Sequence, residues 1–356
     1  MRPSCTTRRP LAQALALGFL AACHDMTLPT EPPPTLAATG LFADAIAPAL
    51  AAGVVPFAPQ YPLWTDGAEK RRWIALPPGT SIDASDVDDW QFPIGTRLWK
   101  EFTFTDAREV RFMLRRADGT WLYASYVQRN GEPEARLAPA TGERSFTPTQ
   151  NGRAHDVPSH ADCRLCHENG RTPVLGFSAL QLSSDRDPNA PHTRAPEPGS
   201  ADLAGAVARG LVRNLPERFL ATPPRVPARS ADERAALGWL HGNCSSCHNA
   251  QGPLQRLGLR LDVPLAGAPA TAPAIATACN QAPTFRHPQT PLRLAPGDPA
   301  ASLLWRRVAA DDAVLQMPPF GRQLVDETAR ALLARWITHD LVPDTTAANP
   351  SLHEKR

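Results

Sequence analysis

Two hydrophobic rhythms divide the chain. Between residues 57 and 150 apolar and polar positions alternate: Trp73-Ile74-Ala75-Leu76, Leu98-Trp99-Lys100-Glu101-Phe102-Thr103-Phe104, Val110-Arg111-Phe112-Met113-Leu114 and Trp121-Leu122-Tyr123-Ala124-Ser125-Tyr126. A period of two sends successive side chains to opposite faces, so each run is expected to be a strand. Pro77-Pro78-Gly79 and Ala117-Asp118-Gly119 are turn signals between runs. Residues 57–150 therefore predict a small antiparallel β-domain. Further on, the rhythm becomes helical. A helix is expected over Ala201–Val212. Ser230-Ala231-Asp232-Glu233 is a cap with an acidic first turn, followed by a stripe of Ala235, Ala236, Trp239 and Leu240. Asp298-Pro299-Ala300-Ala301 opens another helix carrying Leu303, Leu304 and Val308. A last one runs from about Asp326 to His339, with Leu332, Leu333, Trp336 and Ile337 inward. The pattern predicts an α+β multidomain chain, β first and mainly helical afterwards.

The N-terminus has a third pattern. Arg2, Arg8 and Arg9 precede an apolar run from Leu11 to Ala22, the layout of a signal peptide over residues 1–22. Leu20-Ala21-Ala22-Cys23 resembles the bacterial lipobox. That resemblance implies cleavage before Cys23, a lipid on Cys23, and a periplasmic protein anchored to a bacterial membrane. Residues 23–56, polar and Pro-rich at first, are expected to be a lipidated tether and linker.

Composition adds limits. At ~100–200 residues per domain, 356 residues predict two or three domains. A hydrophobic content of 42% is enough for real cores. The net charge is only +2, with no Lys/Arg run and no Gly-rich phosphate loop. Nothing here points to nucleic acid. No later stretch approaches the roughly 20 apolar residues of a spanning helix.

The cysteines change the picture most. Cys163-Arg164-Leu165-Cys166-His167 and Cys244-Ser245-Ser246-Cys247-His248 are both Cys-x-x-Cys-His, the attachment signature of c-type haem. Two thiols at this spacing bond the two vinyl groups of one porphyrin, and the His becomes an iron ligand. A zinc ribbon would place its knuckles ~15–20 residues apart and leave both His residues unexplained. A redox dithiol needs a βαβ setting, which neither motif has. A disulfide framework gives no reason for the repeated His. Two covalently bound haems are therefore expected, on Cys163, Cys166 and His167 and on Cys244, Cys247 and His248. Cys279 is left over and is expected to be a small buried residue.

From Trp239 to His248, through Pro296-Gly297-Asp298-Pro299 to Arg307, to Met317-Pro318-Pro319 and the last helix with Trp336-Ile337, the chain resembles a class I cytochrome c domain. The resemblance covers about 230–341 and implies that Met317 ligates the second iron opposite His248. Two prolines after Met317 also predict a stiff, non-helical loop. Leu63-Trp64-Thr65-Asp66-Gly67-Ala68-Glu69-Lys70-Arg71-Arg72-Trp73 and Trp90-Gln91-Phe92-Pro93-Ile94-Gly95-Thr96 resemble an uncharacterised family of bacterial di-haem c-type cytochrome lipoproteins, in some of which such a β-region precedes two haem motifs.

The first iron has no obvious sixth ligand. Met113, His155, His160, His192, His241 and no protein ligand at all remain open. With Met317 given to the second haem, the first is expected to have the lower potential. The divisions expected are the signal, the tether, a β-domain at 57–150, a first haem segment at 151–225, a cytochrome c-like domain at 226–345 and a tail at 346–356. The leading function is periplasmic electron transfer with a dehydrogenase, a reductase or another cytochrome. The alternatives are a haem enzyme with an open first site fed by the second, and a binding module centred on the β-domain.

Overall fold

A computed structural model of the chain describes residues 28–44, 49–149, 152–267 and 269–341. The signal segment, Cys23 and the tail at 346–356 lie outside the described residues. The strands are β1 (Val55–Pro56), β2 (Glu69–Ala75), β3 (Ile82–Asp83), β4 (Arg97–Thr103), β5 (Ala107–Arg115), β6 (Trp121–Arg129), β7 (Arg136–Leu137), β8 (Glu143–Pro148) and β9 (Ala154–Val157). Then come α1 (His160–His167), α2 (Leu203–Ala208), β10 (Val212–Arg213), α3 (Arg218–Ala221), α4 (Ala231–Cys244), α5 (Pro273–Ala278), α6 (Leu303–Ala309) and α7 (Glu327–His339). The chain thus combines an antiparallel β-sheet with several helices.

The alternating runs form the middle of a six-stranded sheet in the order β1-β2-β4-β5-β6-β7. Cross-strand pairing puts Ile74, Leu98, Met113 and Tyr123 in one row and Trp73, Trp99, Phe112 and Ala124 in the next, on the opposite face. Both faces are covered. The first shares a core with Val174, Phe177, Leu182, Leu203 and Phe219. The second packs against Leu36 and Leu41, with Leu28, Phe42, Leu50 and Val54 around them. Residues 28–44 and 49–56 of the stretch expected as a tether therefore contribute to this packing. Its scattered leucines cover two tryptophans that would otherwise face water.

The line expected at residue 150 crosses the β8–β9 hairpin. It also crosses the core shared by the sheet and residues 174–219. Strand pairing and burial make residues 57–149 and 152–219 one packing unit.

Helix starts follow their caps. Ser159 accepts from Asp162 N, and the Asp162 side chain accepts from Ser159 N in return. Ser230 caps α4, and Asp326 caps α7. Two helices are shorter than expected. At the end of α2, Gly210 takes φ 71° and Val212 pairs with Ile82 in parallel. Asp298 accepts from Ala301 N within a turn, so α6 begins only at Leu303. Ala235, Ala236, Trp239 and Leu240 do meet Leu332, Leu333, Trp336 and Ile337 in a second core.

Tyr61, from the loop before β2, joins the two halves. A Cβ on Gly238 would stand 2.0 Å from its ring, and one on Gly242 2.3 Å from its carbonyl oxygen. Only glycine lets this loop lie against α4. Asn243 completes the seam by accepting from Trp64 N at 2.7 Å. Among the described residues, no helix is long and apolar enough to cross a membrane.

Candidate functional site

The first motif occupies most of α1, which its capping box starts at His160. The second begins at the last residue of α4 and continues into a turn, where Cys247 N and His248 N both donate to Cys244 O. Cys163 packs on the sheet core and Cys244 on the helix core. Despite their separation in sequence, the two motifs touch. Asn249 donates from Nδ2 to Asn169 O at 3.0 Å, across 80 residues of chain. Its Oδ1 accepts from Gln251 N and Gly252 N, and Nδ2 also reaches Ser245 O. Cys247 Sγ lies 3.9 Å from Leu165 O.

Cys163, Cys166, His167, Cys244, Cys247 and His248 all line one cavity of about 770 Å³. Its wall is otherwise largely apolar, from Phe57, Leu98, Leu261 and Val308 among others. Met113 and Met317 line the same cavity.

The four cysteines are free thiols. Burial pushes Cys163 and Cys166 up to about 11 and Cys244 up to about 12. Burial also raises Cys247. Nucleophilic or redox dithiols need the opposite shift. Cys279 is only half-buried, at the end of α5.

Burial holds His167 neutral, at about 4, against the pull of a bond to Pro173 O at 2.7 Å. A carbonyl only accepts, so Nδ1 carries the proton and Nε2 keeps its lone pair. His248 is also pushed down, by burial and then by the Arg307 and Arg293 charges. Its Nδ1 is buried without a partner among the described residues. Tyr123 stands against His167, with ring centroids 5.5 Å apart, and pairs across the sheet with Met113.

The other candidate ligands lie elsewhere. His155 is 1% exposed, held at Nδ1 by Asp66 (2.9 Å) and at Nε2 by Glu109 (3.0 Å). His192 Nε2 meets Asp326 at 2.9 Å. His241 Nδ1 accepts from Val263 N. Neither these three nor His160 lines the cavity. The Met317 loop is pinned by Arg322, which donates to Met317 O and Ala310 O, while Met317 N donates to Arg307 O at 2.8 Å. Asp66 ties the same loop to the sheet by accepting from Gln323 N and Leu324 N.

Among the cavity residues that the sequence did not mark as functional are three cations of the sheet, Arg72, Lys100 and Arg111. Parity was the available signal. Lys100 alternates in step with Leu98 and Phe102, and Arg111 with Met113, so both belong to the inward face.

Each motif thus offers two thiols and an imidazole at the wall of an apolar cavity, a donor set suited to a covalently held metalloporphyrin. Among the described residues no three His, Cys, Asp or Glu side chains gather as a metal-ion site. Comparison with family models, with curated proteins and with solved structures finds no match.

Proposed function

We propose that the protein is a di-haem c-type cytochrome that transfers electrons between periplasmic partners while anchored through Cys23. The observation that carries this reading is the meeting of two Cys-x-x-Cys-His motifs at one apolar cavity with two methionines in its wall. In this reading Cys163 and Cys166 hold one haem and Cys244 and Cys247 the other. His167 and His248 would each bind an iron, and Met317 in its pinned loop would bind the second one as well, within a class I cytochrome c-like domain. Met113 would be the candidate ligand of the first iron, since it alone of the side chains left open lines the cavity.

When bound, each haem supplies a one-electron ferric/ferrous couple. The chain's part is to fix two such couples close together and dry. Asn249 clamps the loops after both motifs, and the Pro173 carbonyl sets the tautomer of His167. Apolar walls keep water from the iron sites, which limits reorganisation on electron transfer.

A pyridine haemochrome assay on the mature protein tests this. Two haems per chain are expected, falling to one in Cys163→Ala/Cys166→Ala and in Cys244→Ala/Cys247→Ala. A wild type with no covalent haem, or a double variant that keeps both, overturns the reading.

A further inference from the structure

The sheet face that lines the cavity carries a row of cations. Arg72 stands opposite Lys100, Lys100 opposite Arg111, and Arg111 opposite Ser125. Like charges on adjacent strands repel, and burial makes the repulsion worse. Arg111 is answered by Glu109, to which it donates two bonds at 2.7 and 3.1 Å. Arg72 is 8% exposed, yet its guanidinium has no hydrogen bond or ion pair among the described residues. Lys100 has none either, its ammonium resting 4.7 Å from the centre of the Phe102 ring. Burial, then the charges of Arg72 and Arg111, push Lys100 well below its ordinary range. Among the described residues Arg72 has no anion beside it, and Lys100 feels only Glu109, which Arg111 already holds, so the row is short of negative charge on the side that faces the cavity.

The row has a direction. The Tyr123 ring on β6 stands 5.5 Å from that of His167, and Cys163 packs on the sheet core. Arg111 lies on β5, next to β6, and Arg72 on β2, two strands further away. From Arg111 to Arg72 is two strand spacings, roughly 10 Å. The row therefore begins on the side of the first motif and runs away from it. In a haem the two carboxylates sit on the edge opposite the two vinyl groups.

We infer that Arg72 and Lys100 receive the two propionate carboxylates of the haem attached at Cys163 and Cys166, which makes the β-sheet half of that haem's pocket. The inference rests on the di-haem reading. It also explains why a sheet stands beside the first motif, since strands β2 and β4 bring cations to the cavity wall, which α1 does not: its Arg164 does not line the cavity. A free anion would leave both cations unanswered whenever it departed. A covalently held carboxylate stays.

The test uses the mature holo-protein with Arg72→Met, Lys100→Met and Arg72→Lys. Resonance Raman reads the propionate bending bands, which move to lower frequency as hydrogen bonding to the carboxylates weakens. Pyridine haemochrome counts haems in the same samples. Each Met variant is expected to lower the band of one haem and leave the other's in place, with two haems retained. Arg72→Lys keeps the charge but changes the donor head, and is expected to shift the same band by less. Should the Met variants fail to mature, Arg72→Lys alone decides, and an unmoved band overturns the inference. Unmoved bands in both Met variants overturn it too. Nitrite and acetate are titrated into the wild type in parallel, and no spectral change is expected. A saturable change that Arg72→Met abolishes would give the row to a free anion instead. A wild type with fewer than two haems fails the di-haem reading separately, through the count.

Discussion

The same five-residue chemistry is seated in two unlike ways. Cys163–His167 rides on a short capped helix against a β-sheet, its imidazole fixed by the Pro173 carbonyl and its surroundings charged by Lys100 and Arg111. Cys244–His248 closes the longer α4, packed against α7 in an apolar helical core. Met317 lines the cavity from a loop held by Arg322. Under the di-haem reading, attachment would be indifferent to secondary structure. It needs a tight local spacing and a cavity, and the surroundings are left to set the electrostatics of each site.

The comparison breaks most sharply at His155. Burial alone would raise Glu109, but the Arg111 charge and bonds from His155 and Arg111 overcome it and hold Glu109 at about 2. His155→Leu takes one partner from each of two buried carboxylates, leaving Glu109 with Arg111 and Asp66 with the Gln323 and Leu324 amides. It should cost about 1–3 kcal/mol, loosening the contact between the sheet and the Met317 loop. Urea unfolding of the holo-protein measures this. A depressed carboxyl stabilises the fold above its unfolded value and loses that contribution as pH falls through the folded one. Wild-type stability should therefore decline from pH 4.5 toward 2. A flat profile there contradicts the buried pairing.

The methionines sharpen the contrast next. Met317→Ala should lower one haem potential and Met113→Ala the other, each on the order of 0.1 V or more within the roughly 0.8 V that axial ligands span. The lower potential expected for the first haem assumed that no methionine reached it. With Met113 in the cavity wall and cations acting on both His167 and His248, the first potential should match the second rather than lie below it. A stepwise redox titration decides. If Met113→Ala moves neither potential, the first iron lacks methionine and an open catalytic site becomes the better reading.

A smaller effect tests the seam between the seats. Gly242→Ala forces a Cβ onto the Tyr61 carbonyl and should cost about 1–3 kcal/mol by overpacking. The loss should appear in the melting temperature with both haems still attached. An unchanged melting temperature would show that the loop gives way freely.

The smallest changes compare the caps. Ser159→Ala and Ser230→Ala each remove one capping acceptor, worth about 1 kcal/mol. The eight-residue α1 has less other support than the 14-residue α4, so Ser159→Ala should broaden the first haem's spectrum more. Equal spectra in the two variants would remove that difference between the seats.

Much of this was legible in the sequence because the signals are local. A Cys-x-x-Cys-His motif, a Ser cap with its reciprocal acid and a run of alternating strand residues each declare themselves within a few positions. The strands came where the alternation put them, and Ser230 and Asp326 cap the helices whose starts they marked. Shortfalls came where distant partners intervened. Val212 left its helix to pair with Ile82, and the leucines after Leu28 left the expected tether to cover Trp73 and Trp99.

The sequence by itself determined the two motifs, the caps and the parity of each strand. Only the tertiary structure decided that the motifs meet, that Met113 shares their cavity, that His155 is held by two carboxylates, and that Arg72, Lys100 and Arg111 form one row. The physical reason is range. Attachment chemistry and capping act through a few bonds along the chain. Register and burial are settled by competition among segments far apart in it, and no single stretch carries that outcome.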